Sequence, residues 1–130
     1  ASALGALWNM SVPLRSTALN VIKSTKQAMV MFPNDPEVQT NALGVLVTRC
    51  ADRVSQRQMV HLGCMDNVVA AVRAHSHNDS IVEHACQLLA MISKDLRATI
   101  PAGYAKFVAG VAEQSTDSGV RRWGLLLARY

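Results

Sequence analysis

The sequence predicts an all-α fold in which a helical unit of about forty residues repeats along the chain to form an α-solenoid. Three observations support this prediction. An Ala and Leu pattern recurs at nearly constant intervals, turn segments carry helix start signals, and no segment shows the period-two alternation of β-branched residues that is typical of strands. The 130 residues are enough for one continuous hydrophobic core.

Four segments share the apolar pattern. Each has Ala or Trp at its first position and Leu four residues later, one helical turn along the same face. Intervals of 39, 43 and 38 residues separate the segments, as expected when loops of different length join a constant helical core. In the last segment Trp takes the place of the packed Ala, so it is predicted to fill the core. The segments begin at Ala3, Ala42, Ala85 and Trp123, and the matching leucines are Leu7, Leu46, Leu89 and Leu127.

Two glycines predict two further helices ahead of each segment. Gly63 and Gly103 are 40 residues apart, and each separates two apolar stretches. Glycine adopts the left-handed conformation that ends many helices without steric cost. Asn20, the next most tolerant residue type, holds the corresponding position in the first unit. Each unit is therefore predicted to hold three helices, with the first and second at residues 54–62 and 65–72, and again at residues 96–100 and 104–111.

The turns before the third helices carry start signals, in which a short polar side chain accepts hydrogen bonds from the first free backbone N–H groups. Pro at the first helical position and a carboxylate near the positive end of the helix dipole reinforce such a signal. The predicted caps are Asp35 followed by Pro36 and Glu37, Ser80 with Glu83 in capping-box spacing, and Asp117 or Ser118 ahead of Gly119.

Three segments, ALWNMS, RQMVHLG and NDPEVQTNAL, resemble the end of the third helix, the end of the first helix and the start of the third helix of the armadillo repeat. The resemblance covers nearly the whole chain, and HEAT repeats, the nearest alternative, lack the separate short first helix. It implies a right-handed superhelix of three-helix units. It also predicts an orphan third helix at residues 1–11 and units at residues 12–51, 52–93 and 94–130, as in a fragment of a longer array.

The resemblance further implies that third helices line a concave groove that binds a partner. Only Asn9 matches the Asn ladder of importin-like arrays, so nuclear-signal binding of that kind is not expected. The remaining positions form a mixed, lightly charged surface that suits a protein or peptide partner better than a polyanion. The predicted groove residues are Asn9, Thr40, Asn41, Gly44, Thr48, Glu83, Gln87, Met91, Arg121, Leu125 and Arg129, with His84 and Arg122 beside them.

Catalytic and metal-binding functions are not expected. The sequence holds no Gly-rich phosphate loop, nucleophile elbow or HExxH motif, so we expect a non-enzymatic protein without a cofactor. An odd number of cysteines with no CxxC pair argues against a disulfide framework and favours a reducing cytoplasmic or nuclear setting. No four-residue set has metal-ligand spacing, although candidate zinc ligands exist at His61 with Cys64 and at His75, His77 and His84, and buried inert thiols are expected at Cys50 and Cys86.

The charge pattern leaves alternatives open. Thirteen Lys and Arg against nine Asp and Glu give a net charge of +4, and no apolar run is long enough to span a membrane. We expect a scaffold that binds protein. A structural spacer within a larger chain, self-association through uncapped apolar ends, and a basic solenoid that contacts nucleic acid are the alternatives. The last would use Lys23, Lys26, Arg49, Arg53 and Arg57.

Overall fold

The computed structural model describes residues 15–96 and 100–130, so the predicted helix at residues 1–11 lies outside the described part. The described part is all-helical, with seven helices and no strand. Helices separated by short turns are typical of a chain whose apolar residues recur at helical spacing. The helices are α1 (Arg15–Met31), α2 (Pro36–Arg49), α3 (Arg53–His61), α4 (Cys64–Ala74), α5 (Asp79–Asp95), α6 (Ala102–Glu113) and α7 (Ser118–Leu127).

The helices pack in two rows. In one row α2 contacts α5 and α5 contacts α7, and in the other α1 contacts α4 and α4 contacts α6. Contacts of α1 with α2, α4 with α5 and α6 with α7 join the rows, and the short α3 packs on α1 and α4. Between them lies a core of aliphatic side chains such as Ile22, Leu46, Leu89 and Leu127, none of them exposed. Burial of these side chains is the main force that holds the rows together.

Two of the three predicted N-caps are confirmed. Asp35 Oδ1 accepts hydrogen bonds from the backbone N–H groups of Glu37 at 3.0 Å and Val38 at 3.2 Å. At the start of α7, Asp117 Oδ1 accepts from the N–H groups of Gly119 at 2.8 Å and Val120 at 3.1 Å. Each carboxylate satisfies donors that the first helical turn leaves unpaired.

The capping box predicted at Ser80 is wrong. Helix α5 begins at Asp79, and its N-cap is Asn78, whose Oδ1 accepts from the backbone N–H of Ile81 at 3.1 Å. Asn and Ser are about equally good caps, so the capping-box spacing did not identify which of the two polar residues the chain uses.

Of the three predicted breaks between first and second helices, the one at Gly63 is confirmed. Gly63 has φ of 74° and separates α3 from α4. The breaks at Asn20 and Gly103 are wrong, because Asn20 lies inside α1 and Gly103 lies in the first turn of α6. Asn and Gly permit the left-handed conformation but do not impose it. The helix predicted at residues 96–100 is not present in its described residues, since both end residues are non-helical and residues 97–99 lie outside the described part.

The three helices of the first row bury the same positions when they are counted from their N-caps. The buried residues come three, seven and ten positions after the cap, which places them on one helical face. This register aligns Gly124, and not Trp123, with Ala42 and Ala85. The alignment predicted from the sequence for the last segment is therefore wrong by one residue. Trp123 is partly buried and packs at the edge of the core. The buried positions are Val38, Ala42 and Val45 in α2, Ile81, Ala85 and Leu88 in α5, and Val120, Gly124 and Leu127 in α7.

Two buried amides connect helix ends. Gln39 Nε2 donates to the carbonyl oxygens of Met29 at 3.1 Å and Phe32 at 2.8 Å, which satisfies acceptors at the end of α1. Gln56 Nε2 donates to the Cys50 carbonyl at 2.7 Å and to Asp95 Oδ2 at 2.8 Å. Within the described part, Gln56 Oε1 is buried without a hydrogen-bond partner. A buried acceptor without a partner costs about 1–3 kcal/mol, which offsets part of the stabilisation from the two donated bonds.

Helices α6 and α7 approach each other closely at Gly124. A Cβ atom at this position would lie 2.7 Å from Ala112 Cβ and 3.3 Å from the Ala109 carbonyl oxygen. Neither contact can relax by a side-chain rotation, because the groups are backbone or attached directly to it. The absence of a side chain at Gly124 therefore sets how closely the last two helices pack.

Gly124→Ala is expected to lower the free energy of unfolding by about 1–3 kcal/mol, since the added methyl group overpacks the interface. Gly110→Ala is the matched control, because Gly110 is also helical and a Cβ there meets nothing within 4 Å. It is expected to raise the free energy of unfolding by about 0.5–1 kcal/mol through the better helix propensity of Ala. Urea unfolding followed by circular dichroism measures both changes, and a Gly124→Ala protein as stable as the native one would contradict the close approach.

Candidate functional site

The predicted groove residues that the structure describes lie along the outer sides of α2, α5 and α7, and Asn9 lies outside the described part. None of the ten described residues is buried. Since α2 contacts α5 and α5 contacts α7, the ten residues lie on neighbouring helices. We call this set the groove surface. It consists of Thr40, Asn41, Gly44 and Thr48 on α2, Glu83, Gln87 and Met91 on α5, Arg121 and Leu125 on α7, and Arg129 just beyond α7.

The α2 part of the groove surface is neutral and shallow. The hydroxyl of Thr40 donates to the Pro36 carbonyl at 2.7 Å, and that of Thr48 donates to the Gly44 carbonyl at 2.9 Å. Their protons are thus used within the helix, and the hydroxyl oxygens remain as acceptors. Between them, Gly44 leaves open space, because a Cβ there would meet nothing within 4 Å.

The α5 part carries a negative charge. Gln87 Nε2 donates to Glu83 Oε1 at 3.4 Å, one helical turn away, and His84 Nδ1 lies 2.7 Å from the Ser80 carbonyl oxygen. The other carboxylate oxygen of Glu83 would lie 3.6 Å from a Cβ at Gly119, so this side chain extends toward the start of α7. The Glu83 carboxylate is therefore an acceptor placed between the two flanking helices.

The α7 part is basic. Arg121, Arg122 and Arg129 are all exposed, and the Leu125 side chain is 60% exposed. In the last segment, the residues with the same counts from the N-cap as Thr40, Gly44 and Thr48 are Arg122, Leu126 and Tyr130. Each of them directly follows a predicted groove residue. A partner that follows the groove surface from α2 to α7 meets neutral, then acidic, then basic side chains. A cavity of about 410 Å³ lies beside these residues and is lined by Glu113, Ser118, Arg121, Arg122 and Leu125.

The three cysteines lie in the core and are reduced. Burial raises the pKa of the Cys50 and Cys86 thiols to about 12, with the carboxylates of Asp95 and Glu83 adding to the effect. Burial also raises the pKa of Cys64 to about 11. A thiol that stays protonated at neutral pH is a poor nucleophile and a poor metal ligand. The expectation that Cys50 and Cys86 are buried is confirmed.

The candidate zinc ligands are dispersed. His61 and Cys64 stand on either side of the break at Gly63, and His75 Nε2 lies 3.0 Å from the Pro33 carbonyl oxygen. Across residues 15–96 and 100–130, no group of three or more His, Cys, Asp or Glu side chains is placed to hold a metal ion.

The basic residues of the nucleic-acid alternative lie on α1, on α3 and at the end of α2. Lys26 Nζ donates to Asn67 Oδ1 at 2.9 Å, so its ammonium group joins α1 to α4, while Arg53 and Arg57 on α3 are exposed. The helices that the structure describes include none that is both long enough and apolar enough to cross a bilayer.

A cleft between α4 and α6 was missed by the sequence analysis. Its volume is about 740 Å³, and Arg73, Lys106 and Phe107 are among the residues that line it. The guanidinium carbon of Arg73 lies 5.0 Å from the centre of the Phe107 ring, within the range of a cation–π contact. Arg73 and Lys106 are more than thirty residues apart and belong to different helices. Neither stands in a motif, so only the packing of α4 on α6 brings them together.

Comparison of the chain with family models, with curated proteins and with solved structures gives no match in any of the three.

The raised thiol pKa values predict a pH dependence of stability. The folded state holds the thiol protons more tightly than the unfolded chain, in which cysteine titrates near pH ~8.5. The free energy of unfolding is therefore expected to be independent of the thiols below about pH 8 and to fall as the pH rises from about 9 toward 11. Urea unfolding at about pH 7.5 and about pH 10 measures the fall, and a Cys50→Ala, Cys64→Ala, Cys86→Ala protein is the control that should lose it.

A thiol reagent provides the second measurement. At about pH 8 the three thiols are expected to react only after unfolding in urea. Reaction of the native chain at the rate of the unfolded chain would contradict the burial of the cysteines.

Proposed function

We propose that this chain is a non-catalytic protein-interaction module with the architecture of an armadillo-like solenoid, and that its groove surface binds a segment of a partner protein. The observation that supports the proposal is the row formed by α2, α5 and α7. Each of these helices buries one face by the same count from its N-cap and leaves polar side chains on another. A set of stacked helices that expose corresponding residues is a surface along which an extended segment can bind.

The chemistry of the groove surface determines which partner segment would fit. The hydroxyl oxygens of Thr40 and Thr48 accept hydrogen bonds from backbone N–H groups of a partner, and Asn41 can donate as well as accept. Glu83 would pair with a basic or amide side chain, and Arg122, which has the same count from its N-cap on α7, with a carboxylate. We therefore propose a segment that is neutral opposite α2, carries a donor opposite α5 and is acidic opposite α7.

A protein partner is favoured over nucleic acid by the position of the basic residues. Lysines and arginines that would contact phosphates lie on α1, on α3 and at the end of α2, and Lys26 is engaged with Asn67. The groove surface itself includes an acidic side chain, Glu83, which would repel a phosphate backbone. The spacer hypothesis stays a prediction, and the experiment below separates it from partner binding, because a spacer has no peptide ligand.

Gly44→Arg is expected to weaken partner binding, because the open space at Gly44 would be filled by a long charged side chain. Peptides are first selected from a displayed random library on the immobilised native chain, and their dissociation constants are then measured by fluorescence anisotropy. Gly44→Arg and, separately, Gln87→Arg are expected to weaken binding by about tenfold or more, the effect of losing about 1.4 kcal/mol of contacts.

The matched control for this experiment is Gly103→Arg, which adds the same side chain at another helical glycine where a Cβ meets nothing within 4 Å. Gly103 lies on α6, away from the groove surface, so the control is expected to bind like the native chain. All variants must first show native helicity and urea midpoints. Failure to select any peptide, or equal binding by Gly44→Arg and the native chain, would overturn the proposal.

A further inference from the structure

The cleft between α4 and α6 is separate from the groove surface. It lies in the second row of helices, the row of α1, α4 and α6, and its walls also include the turns that follow these helices. Its volume of about 740 Å³ falls within the range of ligand sites in proteins, which is roughly 300–1,000 Å³. Nothing in the groove proposal uses the residues of this cleft.

The cleft has cationic side chains on both helical walls. Arg73 contributes from α4 and Lys106 from α6, and both are exposed. The one carboxylate that lines the cleft, Asp79, accepts a hydrogen bond from the Ser115 hydroxyl at 2.7 Å, so part of its acceptor capacity is used within the protein. His77 is the other titratable side chain on the wall. The charge balance of the cleft is therefore positive.

The cleft, which is lined mostly by polar side chains, has an apolar patch on α6. Phe107 and Val111 line it from α6, and both pack against the core. The guanidinium carbon of Arg73 lies 5.0 Å from the centre of the Phe107 ring, and this cation–π contact favours rotamers that keep the charge beside the ring. Gly110 keeps the wall open, since a Cβ there would meet nothing within 4 Å. A cleft with an apolar patch and two cations fits a ligand with short apolar stems and terminal anions.

We propose that the α4–α6 cleft is a second binding site, which takes an acidic segment of a protein. Carboxylates of the segment pair with Arg73 and Lys106, and their methylene groups lie on Phe107 and Val111. Arg favours this role because its planar guanidinium can bind a carboxylate through two parallel N–H donors. Two cations on opposite walls match successive acidic side chains of an extended segment better than a single compact ion.

The test uses a fluorescein-labelled peptide of about six Glu residues, with a Gln peptide of the same length as the uncharged match, at about 50 mM salt. Fluorescence anisotropy is expected to show binding of the Glu peptide alone. Arg73→Gln and Lys106→Gln are each expected to weaken it by about tenfold, as for the loss of one charge-assisted hydrogen bond. Gly110→Leu, which fills the cleft without changing the charge, is expected to abolish binding.

Two matched controls distinguish binding of the Glu peptide in the cleft from its nonspecific electrostatic attraction to the rest of the protein. Lys23→Gln removes the same charge from the exposed face of α1, and Gly103→Leu adds the same side chain to α6 outside the cleft. Both are expected to bind the Glu peptide like the native chain, and so is Gly44→Arg, which tests the groove surface alone. A loss of peptide binding at the groove surface can therefore be distinguished from a loss of Glu-peptide binding in the cleft.

Three results would overturn the proposal. The first is no binding of the Glu peptide to a chain whose helicity and urea midpoint are native. The second is an equal loss of binding in Lys23→Gln and Arg73→Gln, which would indicate nonspecific charge attraction. The third is binding of tripolyphosphate without binding of the Glu peptide, which would identify a phosphate site in place of a protein-binding site.

Discussion

The N-caps of α2, α5 and α7 are the constraint on which the rest of the arrangement depends. Asp35, Asn78 and Asp117 each fix where a long helix begins, and the helical period then determines which side chains face inward. Seven residues after each cap comes a small residue, Ala in the first two helices and Gly124 in the third. A shift of one residue at a cap would rotate the whole helix by about 100° and bring polar side chains into the core.

One core thus supports two chemically different surfaces. Side chains on α2, α5 and α7 bond mainly within their own helix, as the hydroxyl of Thr48 does, and their outer atoms stay available to a partner. In the other row, two side-chain hydrogen bonds join different helices. Lys26 reaches Asn67, and the hydroxyl of Tyr104 donates to Asp66, which raises the pKa of the tyrosine. The second row is therefore cross-connected by polar contacts, whereas neighbouring helices of the first row are held together chiefly by their buried apolar faces.

The sequence predicted the all-helical fold and the strongest boundaries, because the signals there are local. Asp35 and Pro36 act on the backbone beside them, and Gly63 occupies a conformation that few other residues tolerate. It failed at Asn20, where both flanking segments favour helix and α1 continues through the permissive residue, and at Gly103, where α6 has already begun at Ala102 after Pro101. It also missed the α4–α6 cleft, since Arg73 and Phe107 meet through packing and not through spacing. Site residues on a repeated helix face can be read from periodicity, whereas a site between two helices depends on their relative position.

The buried amide of Gln56 connects the C-terminal ends of α2 and α5, two neighbouring helices of the first row. Its two donors join the Cys50 carbonyl, at the end of α2, to Asp95, the last residue of α5. Because both hydrogen bonds come from one nitrogen atom, Nε2, the side chain of Gln56 on α3 keeps the two acceptors close to each other. An Asn there would be one methylene shorter and a Leu would have no donors, so either would lose these hydrogen bonds while the apolar packing of α2 on α5 remains. The position of α2 relative to α5 is thus stabilised by a polar contact as well as by the packing of apolar faces.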